Sequence, residues 1–378
     1  MNILFICNEY PPFISGGIGI FTKDLSIKLS EKGNNVIIIG TYPIEEEQVE
    51  IKIDERIKLI KIKKHNGIIG EILNRIIIYK NIKHIIDSNH IDILEVQDFN
   101  GPLAFYPKLP VTTISRLHGT VSYFNKLSNS LSITNSLKNI IWKLIEKSSL
   151  KKSDKIISVS HFTAIETKKI FNIKNNIDVI HNGIPLVQDY KEKYLYNNPI
   201  NFVFAGSIIR KKGIFELINA WIKLDKTNHN IKLNIYGKDT ENLVSELKDI
   251  LIFNECKSVY FHSPVQKSKL LEIYNDADFC IFPSKAEAFS LAPMEAMSMS
   301  KVTLYTNQTS ASELINEHNG ILIEECTSDY IYQSLIHCLS LSISDYNRIS
   351  LNAYKTIKNK FNINKTIEKN IRFYEKSK

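Results

Sequence analysis

Cysteine is scarce in this chain and badly placed for chemistry: Cys7, Cys256, Cys280, Cys326 and Cys338 are five, widely scattered, with no Cys-x-x-Cys spacing. That excludes a disulfide framework and a structural zinc site and fits a reducing compartment, so a cytoplasmic location is expected. Long apolar runs are missing too, and none approaches the roughly 18 residues a membrane span needs. Met1 to Cys7 lacks the basic region and cleavage site of a signal peptide and reads as a first strand. Charge of one sign is also weak, with 48 basic and 40 acidic residues. Counting to residue 185 gives 24 basic and 18 acidic, a net of +6, which leaves 24 and 22, a net of +2, for the rest. Such a surplus is too diffuse for a nucleic-acid groove and fits an anionic ligand. It also keeps open a peripheral contact of the basic first domain with the inner face of the cytoplasmic membrane.

What is present is an ordinary soluble composition, 43% hydrophobic and 23% charged, in 378 residues. That length predicts two domains. Strand-like runs alternate with amphipathic stretches: Ile3 to Cys7, Gly19 to Glu31, Val36 to Ile39, Ile72 to Asp87 and Ile93 to Val96. The alternation predicts an α/β fold of parallel sheet and crossover helices. Val111 to Leu117 and Lys155 to Val159 add strands, and Ser160 is placed to cap a helix reaching Phe171. An Asn182-Gly183 turn closes a first domain of residues 1–186, and the polar segment 187–199 reads as a linker. The pattern restarts over 200–358, with strands at Asn201 to Ala205, Lys232 to Tyr236, Val259 to His262, Phe279 to Phe282 and Val302 to Tyr305. Two doubly wound halves predict a ligand in the cleft between them.

The richest segment runs from Pro283-Ser284 through Glu287, Ser290 and Pro293 to Glu295 and Met297. A buried strand ends at Pro283 and a helix starts near Ala292, which is where open α/β sheets place ligands. Free N–H groups at Ser290, Leu291 and Ala292 face an anion there, and Glu287 and Glu295 offer acceptors to hydroxyls on either side. Taken singly, Glu295 is equally a charge that suits a first helical turn.

Other constellations support the same reading. Gly16-Gly17-Ile-Gly19, with Ser15 before it, follows a strand and opens a helix, so its backbone can approach a phosphate. The spacing is not the G-x-G-x-x-G of a dinucleotide fingerprint, and a plain tight turn is the alternative. The second half opens with Gly206-Ser207, Arg210-Lys211-Lys212 and Gly213, cations at a strand's carboxyl end that can neutralise a diphosphate. His118 ends a strand before Gly119, where it can bond a sugar hydroxyl or be a satisfied structural residue. The other histidines, His229 among them, show no metal spacing. Asp276-Ala-Asp278 has the form of a metal-chelating pair, yet its place before the strand at Phe279 predicts a turn or capping role for Asp278. Lys138 to Lys152 is basic and amphipathic, with Leu137, Ile140, Ile141, Leu144 and Ile145 on one face. That face is expected to pack on the first domain's sheet, the bilayer being the alternative.

With these residues in view the chain resembles a retaining glycosyltransferase of family 4, glycosyl transferases group 1, which implies the GT-B fold of two facing Rossmann-like domains. The resemblance spans the whole length. It includes the Gly16-Gly17-Ile-Gly19 loop, His118-Gly119, Ser158-Val-Ser160, Val179 to Ile184, Gly206 to Gly213 and the Pro283 to Met297 block. Residues 359–378 resemble the helix that crosses back to the acceptor-side first domain. The resemblance implies His118, Glu287 and Lys212 as catalytic residues. For donor binding it implies Gly16, Gly17, Ser207, Arg210 and Lys212, then Val265, Phe289, Ser290, Leu291 and Glu295. It implies a nucleotide diphosphate sugar as substrate, expected to be a uridine diphosphate sugar, and a glycan or polyprenyl-linked acceptor of surface polysaccharide, with no metal or other cofactor. The family usually carries Arg where this chain has Ser207, and Arg210 is expected to supply the missing charge. A nucleotide-sugar epimerase on the same scaffold, or a non-catalytic donor-binding partner of another transferase, are the alternatives.

Overall fold

The computed structural model describes residues 1–13, 16–127, 136–227 and 230–378; Ser15, the Leu137 side chain and His229 lie outside the described residues. The chain divides into two compact units, Met1–Gly183 with Ile363–Lys378, and Ile184–Asn362.

In the first unit β1 (Asn2–Ile6), β2 (Asn35–Tyr42), β3 (Gln48–Lys52), β4 (Ile57–Lys63), β5 (Ile93–Gln97), β6 (Thr112–Leu117), β7 (Lys155–Ser158) and β8 (Asp178–Val179) form one sheet. The order is β3-β4-β2-β1-β5-β6-β7-β8, parallel except where β3 runs antiparallel to β4. Strands β1 and β5 are buried on both faces, β1 with a near-continuous apolar sequence and β5 with the buried Glu95 among its apolar residues. Helices α1 (Gly17–Glu31), α2 (Gly67–Asn89), α3 (Val121–Leu127), α4 (Ser136–Leu150) and α5 (His161–Phe171) connect them. Ser160 caps α5 by accepting the Thr163 N–H at 3.0 Å.

Two features of this unit differ from the sequence reading. The β3–β4 ribbon was not anticipated: β3, Gln48 to Lys52, is an exposed edge strand that lacks a buried face to betray it, and it pairs with the largely buried β4. Helix α4 does not pack its apolar side on the sheet: Ile140, Ile141 and Leu144 are 53%, 50% and 62% exposed, and Glu146, Ser149 and Leu150 are buried instead.

The second unit holds β9 (Ile200–Ala205), β10 (Ile231–Tyr236), β11 (Val259–His262), β12 (Phe279–Phe282), β13 (Val302–Thr306) and β14 (Ile321–Ile323), all parallel, in the order β11-β10-β9-β12-β13-β14. Its helices are α6 (Ile214–Asp225), α7 (Val244–Phe253), α8 (Lys267–Asp276), α9 (Leu291–Ser298), α10 (Ala311–Leu314), α11 (Ser328–Ser340) and α12 (Ile343–Lys360). Phe202 sits between Trp221 and Phe279 at ring distances of 5.3 and 4.9 Å, centring the core on β9 and β12. The strand order reverses between those two strands, so their carboxyl ends flank the sheet's switch point.

The segment from residue 187 to 199 is bonded to the second unit: Asn347 Oδ1 accepts the Lys193 N–H at 2.9 Å and Asp278 Oδ1 that of Asn197 at 3.1 Å. The units divide after Gly183 and after Asn362, a few residues from the boundaries read at 186 and 359. The last helix, α13 (Ile363–Glu375), belongs to the first unit, where Ile367 and Tyr374 enter the core. Asn370 and Tyr374 of α13 bond the buried Arg116 guanidinium, which also grips Glu95 at 2.7 and 2.9 Å.

Candidate active site

In the second unit the site begins with a glycine. Beyond β9 a short 3₁₀ turn carries Arg210, Lys211 and Lys212, and Gly213 ends it at φ +71°, a conformation costly for any residue with a Cβ. A Cβ at Gly213 would overlap the Pro283 carbonyl oxygen and lie 2.7 Å from Cys326 Sγ. Glycine therefore lets the cationic turn close against the end of β12, and the Lys285 N–H seals it by donating to the Lys211 carbonyl at 2.9 Å. The outcome is an ion pair between Lys212 Nζ and Glu287 Oε1, their side chains 21% and 13% exposed. Burial opposes ionisation of Glu287, but the Lys212 and Lys211 ammoniums, with hydrogen bonds from Lys212 and Ser284, outweigh it and hold the carboxyl below its usual range. Burial and the neighbouring Lys212 push the Lys211 ammonium below its usual range, with Glu287 opposing.

Next to that pair α9 opens without a cap. Ser290 is extended and its side chain makes no capping bond; the helix starts at Leu291, one residue before the predicted Ala292. Pro293 has no N–H, so the donors at this start are those of Leu291 and Ala292, which have no acceptor among the described residues. Glu295 follows one turn on, 7% exposed, with Lys267 Nζ at 3.2 Å from its Oε1. Two carboxylates, each held by a lysine, thus stand near an anion-seeking helix start. Lys267 was missed by sequence reasoning. Its signal was available: a cation in the first turn of α8 opposes the helix dipole and asks for a reason.

Other predicted residues fall less centrally. The Arg210 guanidinium bonds Glu246 at 3.0 Å and lies 4.3 Å from the Phe215 ring, so its charge is engaged on the α6–α7 side. Phe289 turns its ring into the interior against Phe361, at 5.4 Å. Val265 is 38% exposed on the loop after β11, and Ser207 is half-buried after β9. Asp278 is fully buried, accepting the N–H groups of Asn197 and Asn201 and pairing with Lys193 at 2.7 Å.

The first unit presents a different chemistry. Gly16 is the extended N-cap of α1, with no side-chain cap and no acidic residue in the first turn. A Cβ at Gly19 would overlap the Glu9 carbonyl, so Gly19 is needed for packing, whereas the space around a Cβ at Gly17 is open. One turn into α1, Phe21 lies 4.9 Å from the His118 ring. His118 is 8% exposed, and its Nε2 has no hydrogen-bond partner among the described residues. Burial, with the Arg116 charge adding, keeps the imidazole neutral. Asp98 holds the turn in place by accepting the His118 N–H at 2.8 Å and the Gly119 N–H at 3.1 Å. Burial pushes its carboxyl up to about 8, the His118 N–H pulling the other way. Asp98 was also missed, although an acidic residue just past the apolar strand β5 marks a strand's carboxyl end as surely as His118 does.

Comparison with known proteins now decides the family. The model for glycosyltransferase family 4 matches residues 15–188, and that for glycosyl transferases group 1 matches residues 188–356. The chain belongs to glycosyltransferase family 4. It is 27% identical over 339 residues to an uncharacterized glycosyltransferase of Methanocaldococcus jannaschii, covering 88% of this chain and 86% of the relative. It is 28% identical over 178 residues to the capsular polysaccharide biosynthesis glycosyltransferase CapM of Staphylococcus aureus, 45% of each chain. Among solved structures, Anabaena HepE in complex with UDP and glucose superposes with a TM-score of 0.74 over all of both chains, at 15% identity. The fold is GT-B, with two Rossmann-like domains, and the protein is a glycosyltransferase.

Proposed function

We propose that this family 4 enzyme moves a sugar from a uridine diphosphate sugar to a glycan or polyprenyl-linked acceptor of surface polysaccharide, with retention at the anomeric carbon. The observation that carries the reading is the Lys212–Glu287 pair beside the uncapped start of α9. The diphosphate meets the N–H groups at Ser290 and Leu291 and draws Lys212 toward it. Lys212 then faces the negative charge that grows as the sugar leaves, a preorganised stabilisation of the transition state. Glu287, relieved of the lysine, accepts a hydroxyl of the donor sugar, and Glu295 accepts the ribose hydroxyls in place of its contact with Lys267. A carboxyl held ionised is an acceptor only, so Glu287 does not act as a general acid.

His118 and Gly17 take the roles the family resemblance implies, the histidine at the donor sugar and the glycine at the diphosphate. A neutral imidazole with an open Nε2 serves the first role, since it can bond a hydroxyl without adding charge. The diphosphate leaves as an anion, so its departure needs charge stabilisation more than a proton. Lys212 supplies that charge from the protein itself, and the reading therefore requires no divalent ion. The capsular function named for CapM and the UDP and glucose bound by HepE support the acceptor class and the donor.

A thermal-shift panel of nucleotide sugars tests the assignment. A donor at 100 times its dissociation constant adds about 2.7 kcal/mol to stability. Uridine diphosphate sugars are expected to raise the melting temperature of the native enzyme and to lose that effect in Lys212→Ala. Stabilisation by guanosine diphosphate sugars alone would move the donor, and none by any nucleotide sugar would remove the reading.

A further inference from the structure

Helix α2 is apolar on both sides. It buries Ile78, Ile82 and Ile85 in the core of the first unit. On the opposite side Ile69, Ile72, Leu73 and Ile76 are 75%, 55%, 42% and 46% exposed. Their spacing of i, i+3, i+4 and i+7 makes them one stripe. Along the same face the stripe gives way to Lys80 and Lys83, both exposed.

Helix α4 repeats the arrangement. Ile140, Ile141 and Leu144 stand exposed over its first turns, and Lys147 and Lys151 continue that face. Its one acidic residue, Glu146, is withdrawn into the interior, where it accepts the N–H groups of Val121 at 2.7 Å and Ser122 at 3.1 Å.

The loop after β5 joins the two helices. Arg75 of α2 donates to the carbonyls of Gly101 and Asn100, each at 2.7 Å, and a Cβ on Gly101 would stand 3.0 Å from the Glu146 Cα of α4. That loop exposes Phe99 and Phe105, the latter 73% exposed at φ +67°. The loop that links the two helices thus carries two exposed phenylalanines, and each helix exposes an apolar turn that lysines continue. Scattered apolar side chains on a surface need no explanation, but an aligned and basic-edged set marks an interaction site.

We propose that this face of the first unit docks on the surface of an anionic phospholipid bilayer. The isoleucines, leucines and phenylalanines enter the boundary between headgroups and acyl chains, and the lysines meet lipid phosphates. Charge complementarity chooses the bilayer over a protein partner, because Lys80, Lys83, Lys147 and Lys151 outnumber Asp87, the exposed acidic residue on the α2 line, and α4 hides its only carboxylate. The inference stands on exposure and charge alone and is independent of the donor proposed above.

Flotation of the full-length enzyme with vesicles tests it. Vesicles of phosphatidylglycerol and phosphatidylethanolamine are expected to carry the protein up the gradient, and pure phosphatidylcholine vesicles to carry far less. The triple variant Ile72→Ser/Ile76→Ser/Leu144→Ser, which alters only exposed side chains, should lower partitioning at least 10-fold with an unchanged circular dichroism melt. Lys147→Glu/Lys151→Glu should lower it as well and flatten its dependence on salt. Failure to float with phosphatidylglycerol, equal flotation with phosphatidylcholine, or indifference to both variants would overturn the proposal. So would a lipid-free dimer in sedimentation that the triple variant dissolves, since the face would then belong to a second copy of the chain.

Discussion

The two units prepare for a ligand in opposite ways. The second keeps its charges and stores them as pairs, Lys212 with Glu287 and Lys267 with Glu295. The first offers no such lysine–carboxylate pair in the groups singled out there, but an uncapped glycine start and a histidine that burial keeps neutral. The contrast separates the tasks of a transferase. Groups that answer charge appearing in the transition state must be ionised beforehand and pre-aimed, while a group that orients a sugar hydroxyl is best left uncharged.

The largest break in that contrast comes from removing the pair. Lys212→Ala and Glu287→Ala are each expected to lower turnover at least 100-fold, the size seen when one charge-stabilising group is lost; near-normal turnover in either would move the chemistry elsewhere. Next is Gly213→Ala, which forces a Cβ into the left-handed region and into the Pro283 carbonyl. Roughly 3 kcal/mol of stability should go, read as a lower denaturant midpoint at unchanged slope. An unchanged midpoint would mean that the cationic turn does not depend on that close approach.

His118 sharpens the comparison through pH. Its folded pKa is depressed, so between that value and the unfolded value of about 6.5 the unfolded chain holds a proton that the folded one lacks. Stability contributed by the neutral ring is therefore complete above about 6.5 and declines on acidification, by at most about 1.4 kcal/mol per pH unit. His118→Asn should show a shallower acid slope in denaturant titrations. An identical slope would show that the imidazole is not held neutral.

Smaller effects belong to the outer groups. Glu295→Gln should raise KM up to about 10-fold with kcat little changed, because a ribose contact is the same in ground and transition states. A kcat loss matching that of the Glu287 variant would give both glutamates one role. Arg210→Ala should change kcat/KM by less than about 3-fold, since its guanidinium is spent on Glu246 in an exposed pair. A larger loss would restore it as the substitute for the arginine that Ser207 replaces.

Much of this was legible because period and position are local properties. Alternating strands and helices announce the α/β halves, and Pro283 to Met297 announces a strand end followed by a helix start. Partners are not local. Nothing near Lys267 in sequence points to Glu295, and nothing near Arg210 points to Glu246. Strand β3 escaped because an exposed edge strand carries no burial pattern. Helix α4 misled for a related reason: amphipathic spacing says that one face is apolar and leaves open what covers it. Ile140, Ile141 and Leu144 have the pattern of a core face and are found exposed.

The central claim is that the Lys212–Glu287 pair is the grip on a nucleotide diphosphate sugar. Release of UDP from UDP-sugars by the purified enzyme, compared with the Lys212→Ala variant under identical conditions, tests it most directly. The account predicts measurable release by the native enzyme, through transfer to acceptor or slowly to water, and a loss of at least 100-fold in the variant. Equal release by the two proteins would contradict it, as would recovery of an epimerised UDP-sugar with no release at all.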